Sequence, residues 1–428
     1  MRSVLRGLPL LILGLAACGD EATNGDGELD RRIEHVDEEL ELEPVSEPGK
    51  TKFPKASTSS VTLALRAKVT PPEVGGQTLY ASSVAVHEDL AFVSYHRPGA
   101  DYGGAVDVLD ISDPTSPQLV SSLSFADEDV NDVDSDGTRV FLAVSGERFA
   151  FPETAAVRAY DLSGGVIDAA SGQVVGLASF VASGVRSAGG RLFATTGDVG
   201  GYLVELDPAL LTVTASVALD DARAVDVDGS HVAVHVGDEV RLLDASSLSD
   251  VADWSFTRAN DDGARSELAL VGEKAFVTAG SDGVHILDAT TGTVLETVAV
   301  PAANALGLLP SEVVANGLTV VRDFVFIAQG GGGFHLAFTD RDPSTTASGA
   351  LDPYASLSRV AFSDWASSNA VASSDDVIVV ANGSVGVRAI ALEVDPCGAP
   401  AGLPSQGFYS SDFNEDVDGW APTYAASA

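Results

Sequence analysis

Ser82-Ser83-Val84-Ala85-Val86-His87-Glu88-Asp89-Leu90-Ala91-Phe92-Val93 decides the fold. It holds a polar residue, a short apolar strand, a polar turn and a second apolar strand. The pattern anchored on Phe92 returns at Phe141, Phe193, Ala233, Phe276, Phe326 and Val379, at intervals of 49, 52, 40, 43, 50 and 53 residues. Two residues after the polar position stand Val84, Val133, Val185, Val225, Leu268, Leu318 and Val371. One residue after each anchor stand Val93, Leu142, Ala194, Val234, Val277, Ile327 and Val380. Hydrophobic residues make up 45% of the chain, so composition alone does not fill fourteen equivalent places with aliphatics. Between the columns lie turn residues such as Asp136-Gly137, Gly189-Gly190 and Asp228-Gly229, which supply the positive φ angles of tight hairpins. Each repeat therefore opens with a hairpin of two strands, A and B.

A third strand, C, follows. Five of these end in Asp after an apolar run: Asp110, Asp161, Asp207, Asp244 and Asp288. A carboxylate there can accept hydrogen bonds from the backbone two residues on and start a turn. A weaker fourth strand, D, follows, as in Gln118 to Leu123. The seventh repeat reaches Asp395-Pro396 after its third strand, while a spare strand, Val61 to Arg66, precedes the first repeat. Repeats of this period suit four-stranded sheets arranged radially. The expected fold is all-β: a seven-bladed β-propeller of four-stranded antiparallel blades over 60–394, closed by the N-terminal strand. Closure removes sheet edges that would pair with other chains.

Val84-Ala85-Val86, Ala91-Phe92-Val93 and Val106-Asp107-Val108-Leu109-Asp110-Ile111-Ser112-Asp113-Pro114, with Pro117, resemble the repeat of the LVIVD family of bacterial surface β-propellers. The likeness covers about residues 80–394, although later blades mostly lose the Ser-Asp-Pro ending. It implies a propeller on an exported protein and carries no settled activity.

Arg2 and Arg6 precede a short apolar run, Leu8 to Leu15, too short for a stable membrane span. Leu15-Ala16-Ala17-Cys18 resembles the bacterial lipobox. Residues 1–17 are therefore expected as a lipoprotein signal peptide, with diacylglycerol on Cys18, and the protein is expected in the cell envelope, at the outer membrane or cell surface. Residues 18–59 are rich in acid and poor in aromatics, and are expected to be a disordered tether; a short helix over 30–43 is an alternative within it. Residues 395–428 read as a Pro/Gly linker and a short tail. Its run Phe408 to Trp420 resembles the first strand of extracellular jelly-roll modules, or packs on the propeller.

The formal net charge is −38, and loss of Arg2 and Arg6 takes it to −40. That excludes nucleic acid as an expected partner, since its phosphates need basic contacts. Only two cysteines occur, so disulfides do not hold the fold.

Asp132-Val133-Asp134-Ser135-Asp136-Gly137 matches the start of a calcium loop, but the twelfth position is Ala143 rather than Glu. Asp132, Asp134 and Asp136 are thus a weak calcium candidate, weighed against a place on strand A and its hairpin. Gly330 to Gly333 reads as a flexible B–C loop. The strand C column Asp107, Arg158, Arg241, His285, His335 and Arg388 reads as solvent-facing. No catalytic serine or cysteine motif, metal cluster or cofactor motif stands out; three tryptophans are too few for a quinone-cofactor propeller.

One column suggests binding: Ser82, Asn131, Ser183, Arg223, Ser266, Asn316 and Asn369, all polar at the entry to strand A. These form either a ring around the central channel or local caps of the D–A turns. Nearby B–C loops carry Tyr95, His96, Arg97, Tyr102, Glu147, Arg148 and Phe149, a composition of interface hot spots. The expected function is a lipid-anchored binding or scaffold module for a protein or glycan, held to the membrane through the lipid alone. The alternative is a hydrolase or lyase at the channel mouth, which would gather carboxylates of raised pKa there.

Overall fold

The computed structural model describes residues 21–24, 27–45, 61–146, 154–197, 200–256, 265–321, 324–338, 356–363 and 366–394. The two aliphatic columns of the sequence meet as cross-strand partners. Val84 pairs with Val93, Val133 with Leu142, Val185 with Ala194 and Val225 with Val234. Leu268 pairs with Val277, Leu318 with Ile327 and Val371 with Val380. All fourteen side chains are buried.

Strands A to D pair in chain order within 80–125, 128–176, 182–218, 222–255, 268–298 and 317–361, giving blades 1 to 6. Blade 7 takes strands A to C from 370–394. Its fourth strand is β4 (Val61–Val69), which pairs antiparallel with Val387–Val394. Each strand A packs against the next, and blade 7 packs against blade 1, so the ring is closed by the N-terminal strand.

Seven apolar clusters fill the seven seams between consecutive blades. The anchors Phe92, Phe141, Phe193, Phe276 and Phe326 leave the A/B pairing columns and insert into the seam with the following blade. Blade 4 carries Ala233 there, and Trp254 and Phe256 fill that seam instead. Burying such a ring contributes about 3 kcal/mol or more.

The strand-ending aspartates act as expected in four repeats. Asp110, Asp207, Asp244 and Asp288 accept backbone N–H bonds from Ser112, Ala209, Ser246 and Thr290. Hydrogen bonds from the hydroxyls and N–H groups of Ser246 and Ser247 hold Asp244 down to about 2. Asp161 differs: it faces Arg139 at 3.2 Å, and its turn is made by Gly164-Gly165.

Two expectations need correction. The strand C column does not face solvent. Asp107, Arg158, His285, His335 and Arg388 are buried, because neighbouring blades cover both faces of a central strand. Arg158 is held there by Glu128 in two bonds of 2.5 and 2.6 Å and lies over Phe125. Arg388 lies over Phe362.

Nor are residues 18–59 a disordered tether where they are described. Strand β1 (Glu21–Asn24) pairs with strand D of blade 1, Gln118–Phe125. One helical turn, α1 (Leu29–Arg32), is all the helix that forms there. Strand β2 (Ile33–Glu39) then pairs with β4 of blade 7, and β3 (Glu41–Pro44) with strand D of blade 6, Ser356–Ala361. The segment is a belt across three outer edges. It gains order from main-chain bonds to those edges and from burying Leu29 and Leu40. Residues 1–17, Cys18 and 395–428 lie outside the described residues.

Candidate functional site

The seven polar residues stand where strand A enters the ring. In blades 1 to 4 each is the extra residue of a β-bulge: Ser82, Asn131, Ser183 and Arg223 each fall at a register shift. A bulge re-aims a side chain out of the pleat. Here it turns the polar group toward the next blade. Ser82 Oγ donates to Val130 O at 3.0 Å, Asn131 Nδ2 to Ala182 O at 2.9 Å, and Ser183 Oγ to Ala222 O at 2.8 Å. Each acceptor immediately precedes the polar residue of the following blade. Asn369 Nδ2 closes the circle on Ala81 O at 3.1 Å, and Asn316 Oδ1 accepts from Arg265 N at 3.0 Å. Arg223 instead pairs with Asp221 in its own blade at 2.7 Å. The hydroxyl of Ser266 has no hydrogen-bond partner among the described residues.

Blades 5 to 7 make the same link with backbone. Gly280, Gly330 and Gly383, in their B–C turns, bridge Ala315, Ser368 and Ala81. Each turn closes with a second glycine three residues on. At Gly386, φ is +95° and a Cβ would lie 2.0 Å from Val69 O, so no side chain fits. Gly330 to Gly333 is thus a tight, bonded turn. The repeated Gly-x-x-Gly was a readable signal of this arrangement.

A charged network lies below the ring. Asp132 and Asp134, two apart on strand A of blade 2, reach the inner edge of blade 3: Asp132 Oδ2 accepts from Val185 N at 2.9 Å and Asp134 Oδ2 from Ser187 N at 2.6 Å. Asp226 repeats this on Leu270 N at 2.8 Å. Arg186 lies between them, its Nε 3.0 Å from Asp226 and its Nη1 4.0 Å from Asp134. Arg265 reaches from blade 5 to blade 2, donating to Asn131 O at 2.7 Å and Asp132 Oδ1 at 3.0 Å. It is a crossbar over the channel.

Glu267 stands in the register place of Asp132. Burial first, and Asp132 second, push its carboxyl up to about 7 against the pull of Arg265 and Arg186. Burial also raises Asp134 and, on the loop face, Asp129. Sequence reasoning missed Arg186, Arg265, Asp226 and Glu267, because charge recurs at these places in too few blades to form a column.

The calcium candidate does not converge into a loop. Asp132 and Asp134 are used as above, and Asp136 caps its own hairpin by accepting from Thr138 N and Arg139 N. Among the described residues no group of three or more His, Cys, Asp or Glu could hold a metal ion. Of the hot-spot residues, Tyr95 is fully buried and so cannot touch a partner. His96 and Tyr102 are half-buried, and Arg97 is tied to Val74 O at 2.9 Å. Glu147, Arg148 and Phe149 lie outside the described residues. A concavity of about 160 Å³ opens on blade 6, lined by Leu306, Leu308, Phe334, Arg359 and Phe362.

Residues 80–124 match the LVIVD repeat model. No curated protein matches the chain. Among solved structures, the chain is similar to the WD40 domain of Neurospora crassa Pan2, with 11% identity over 73% of this chain and 89% of that one, at a TM-score of 0.50. It also aligns with the computationally designed Ika8 protein at 11% identity, over 74% of this chain and 98% of that one, at a TM-score of 0.43. The first of these likenesses speaks to fold alone. The closed ring of seven antiparallel blades and the repeat match together make this chain a repeat β-propeller whose first blade matches the LVIVD repeat model.

Proposed function

We propose that this chain is a lipid-anchored propeller of the cell envelope that binds a protein or glycan partner on the face where its A strands begin. One observation carries the binding part. The channel is spanned by Arg265 and its neighbouring charges are largely paired with one another and with blade edges. A groove committed to its own stitching leaves the loop face as the surface for recognition. The blade 6 concavity, about 160 Å³, is smaller than the roughly 300–1,000 Å³ of small-molecule sites. Radial repeat sheets serve broadly as interaction scaffolds. The net charge of −38 favours a neutral or cationic partner and disfavours nucleic acid.

Of the seven ring residues, Arg223 combines a charge with a side chain 38% exposed, whereas most of the others spend their polar atoms between blades. Capture from envelope extract by the full chain, compared with Arg223→Ala, tests the site. Retention of every captured species by the variant counts against the ring as a contact. Asn131→Ala and Asn316→Ala belong beside it with thermal melts, since both also hold blades together. Anchoring is tested by acyl labelling of Cys18 against Cys18→Ser; absence of label in the parent protein removes the lipid.

Glu267 favours a second reading, an enzyme at the channel mouth, because a carboxyl held near neutrality suits general acid–base chemistry. Turnover in a hydrolase or lyase screen that is lost in Glu267→Gln, with the melt preserved, would support it.

A further inference from the structure

We infer that the anchored protein lies with the rim of blade 1, at its junction with blade 2, against the bilayer surface. This rests on the lipid at Cys18 proposed above and adds what the belt does to it. A disordered tether over 18–59 would allow a separation of about 35 Å between lipid and propeller, by random-coil scaling. The belt removes that slack. Glu21 is already registered opposite Ser124 on strand D of blade 1, followed by Ala22 opposite Leu123, Thr23 opposite Ser122 and Asn24 opposite Ser121. Three residue steps separate Cys18 from Glu21, which span roughly 11 Å at full extension.

Direction follows from the antiparallel register. The N-terminal end of β1, at Glu21, points past Ser124 toward Phe125 and the exposed Ala126, where blade 1 turns into blade 2. The chain cannot extend this leash without stripping β1 and α1 from blade 1, and then β2 and β3 from blades 7 and 6. Arg32 strengthens the hold, with Nη1 donating to Asp107 at 3.1 Å and Ser122 at 3.1 Å, and Nη2 also bonded to Asp107.

Strand D of blade 1 carries no charged residue, while strand D of blade 4, Asp250–Ser255, carries Asp250 and Asp253. But β1 covers the blade 1 strand, so the outermost edge of blade 1 begins with Glu21, and Ala126 is followed by Asp127 and Asp129; the short leash rather than edge charge sets the approach. The far side of the ring, blades 4 and 5, is then turned away from the membrane, and the strand-A entry face stands beside it at the Ala126 end.

The experiment uses the full lipidated chain in phosphatidylcholine vesicles, in a Cys397→Ser background so that only one introduced thiol reacts. A fluorophore is placed at Ala126→Cys or at Val251→Cys, which is 53% exposed on blade 4. Nitroxide lipids labelled at the headgroup serve as quencher. Several-fold stronger quenching at position 126 than at 251 is expected. Equal quenching overturns the docking while leaving the lipid intact. A Gly/Ser spacer of fifteen residues between Asp20 and Glu21 should keep the protein on the vesicles and erase the difference. A difference that survives the spacer overturns the leash argument. Mass spectrometry of the unlabelled parent reads acylation separately; an unmodified Cys18 overturns both the anchor and the docking.

Discussion

Blades 6, 7 and 1 carry five strands each, whereas blades 2 to 5 carry four. The contrast falls on the outer edges. On the four-stranded blades, Val166, Val174, Val213, Val251, Val294 and Leu295 of strand D are exposed. On strand D of blade 1 and on β4 of blade 7, no large hydrophobic side chain is exposed. The belted blades are those that hold the break in the ring and its two neighbours. Blade 7 joins strands from 370–394 to β4, and no covalent bond crosses that joint. An open edge invites pairing with other chains, so the belt covers the edges around the break. The bare half has continuous blades and relies on its seams alone.

Removing β4 (61–69) is the strongest way to break the comparison. Blade 7 would keep three strands, and the ring would open. Loss of the cooperative thermal transition is expected; an unchanged melt would sink the closure. Next comes one substitution from each half. Arg32→Ala leaves Asp107 buried without its cation, a loss of about 3–5 kcal/mol. Phe193→Ala, in the seam between blades 3 and 4, empties a fully buried ring and costs a similar 3–5 kcal/mol. Urea unfolding should give comparable falls. A negligible loss for Arg32→Ala would mean that the belt contributes little to ring closure.

The columns that became cross-strand pairs were legible, because hairpin turns and aliphatic alternation are local properties of the chain. Val84 and Val93 needed no other blade to be read as partners. The belt was illegible for the opposite reason. Glu38-Glu39-Leu40-Glu41 is mostly acidic, and its order comes from the edges of blades, Leu65 and Ala64 opposite Glu38 and Glu39 and the distant Ala361 opposite Glu41. The strand C column was misread because a charge inside a two-faced sheet looks like one outside it. Only the seam partners, Glu128 for Arg158 and Arg32 for Asp107, tell them apart. The ring at the strand A entry was visible as polarity. Its use in joining blades was not, since Val130, Ala182 and Ala222 accept through the backbone, which has no sequence signature.

A smaller effect sharpens the view of the bare half. Glu267 of blade 5 titrates near 7 in the folded chain and near 4.5 when exposed. The folded state therefore holds the proton more tightly, and stability from this group falls as pH rises from about 4.5 through 7. Glu267→Gln should be more stable than the parent at pH 8, by about 1–3 kcal/mol, and little different at pH 4.5. Melts across that window check it. A pH-independent difference would mean that Glu267 is charged throughout.

The smallest effect returns to the belt. Arg359 of blade 6 donates to Glu43 of β3 through Nε at 3.0 Å and Nη2 at 2.6 Å, but both side chains are well exposed, at 39% and 49%. An exposed pair is worth about 0–1 kcal/mol and is screened by salt. Arg359→Ala should therefore lower stability slightly at low ionic strength and not at all in concentrated salt. The backbone pairing of β3 with Ser356–Ala361 does not depend on that guanidinium, so the belt should stay in place. Hydrogen exchange at Leu42 and Glu43 reads this directly. If protection there vanished in Arg359→Ala, side-chain charge rather than edge pairing would be holding the belt. The difference between the two halves would then be electrostatic and would fade as salt rises.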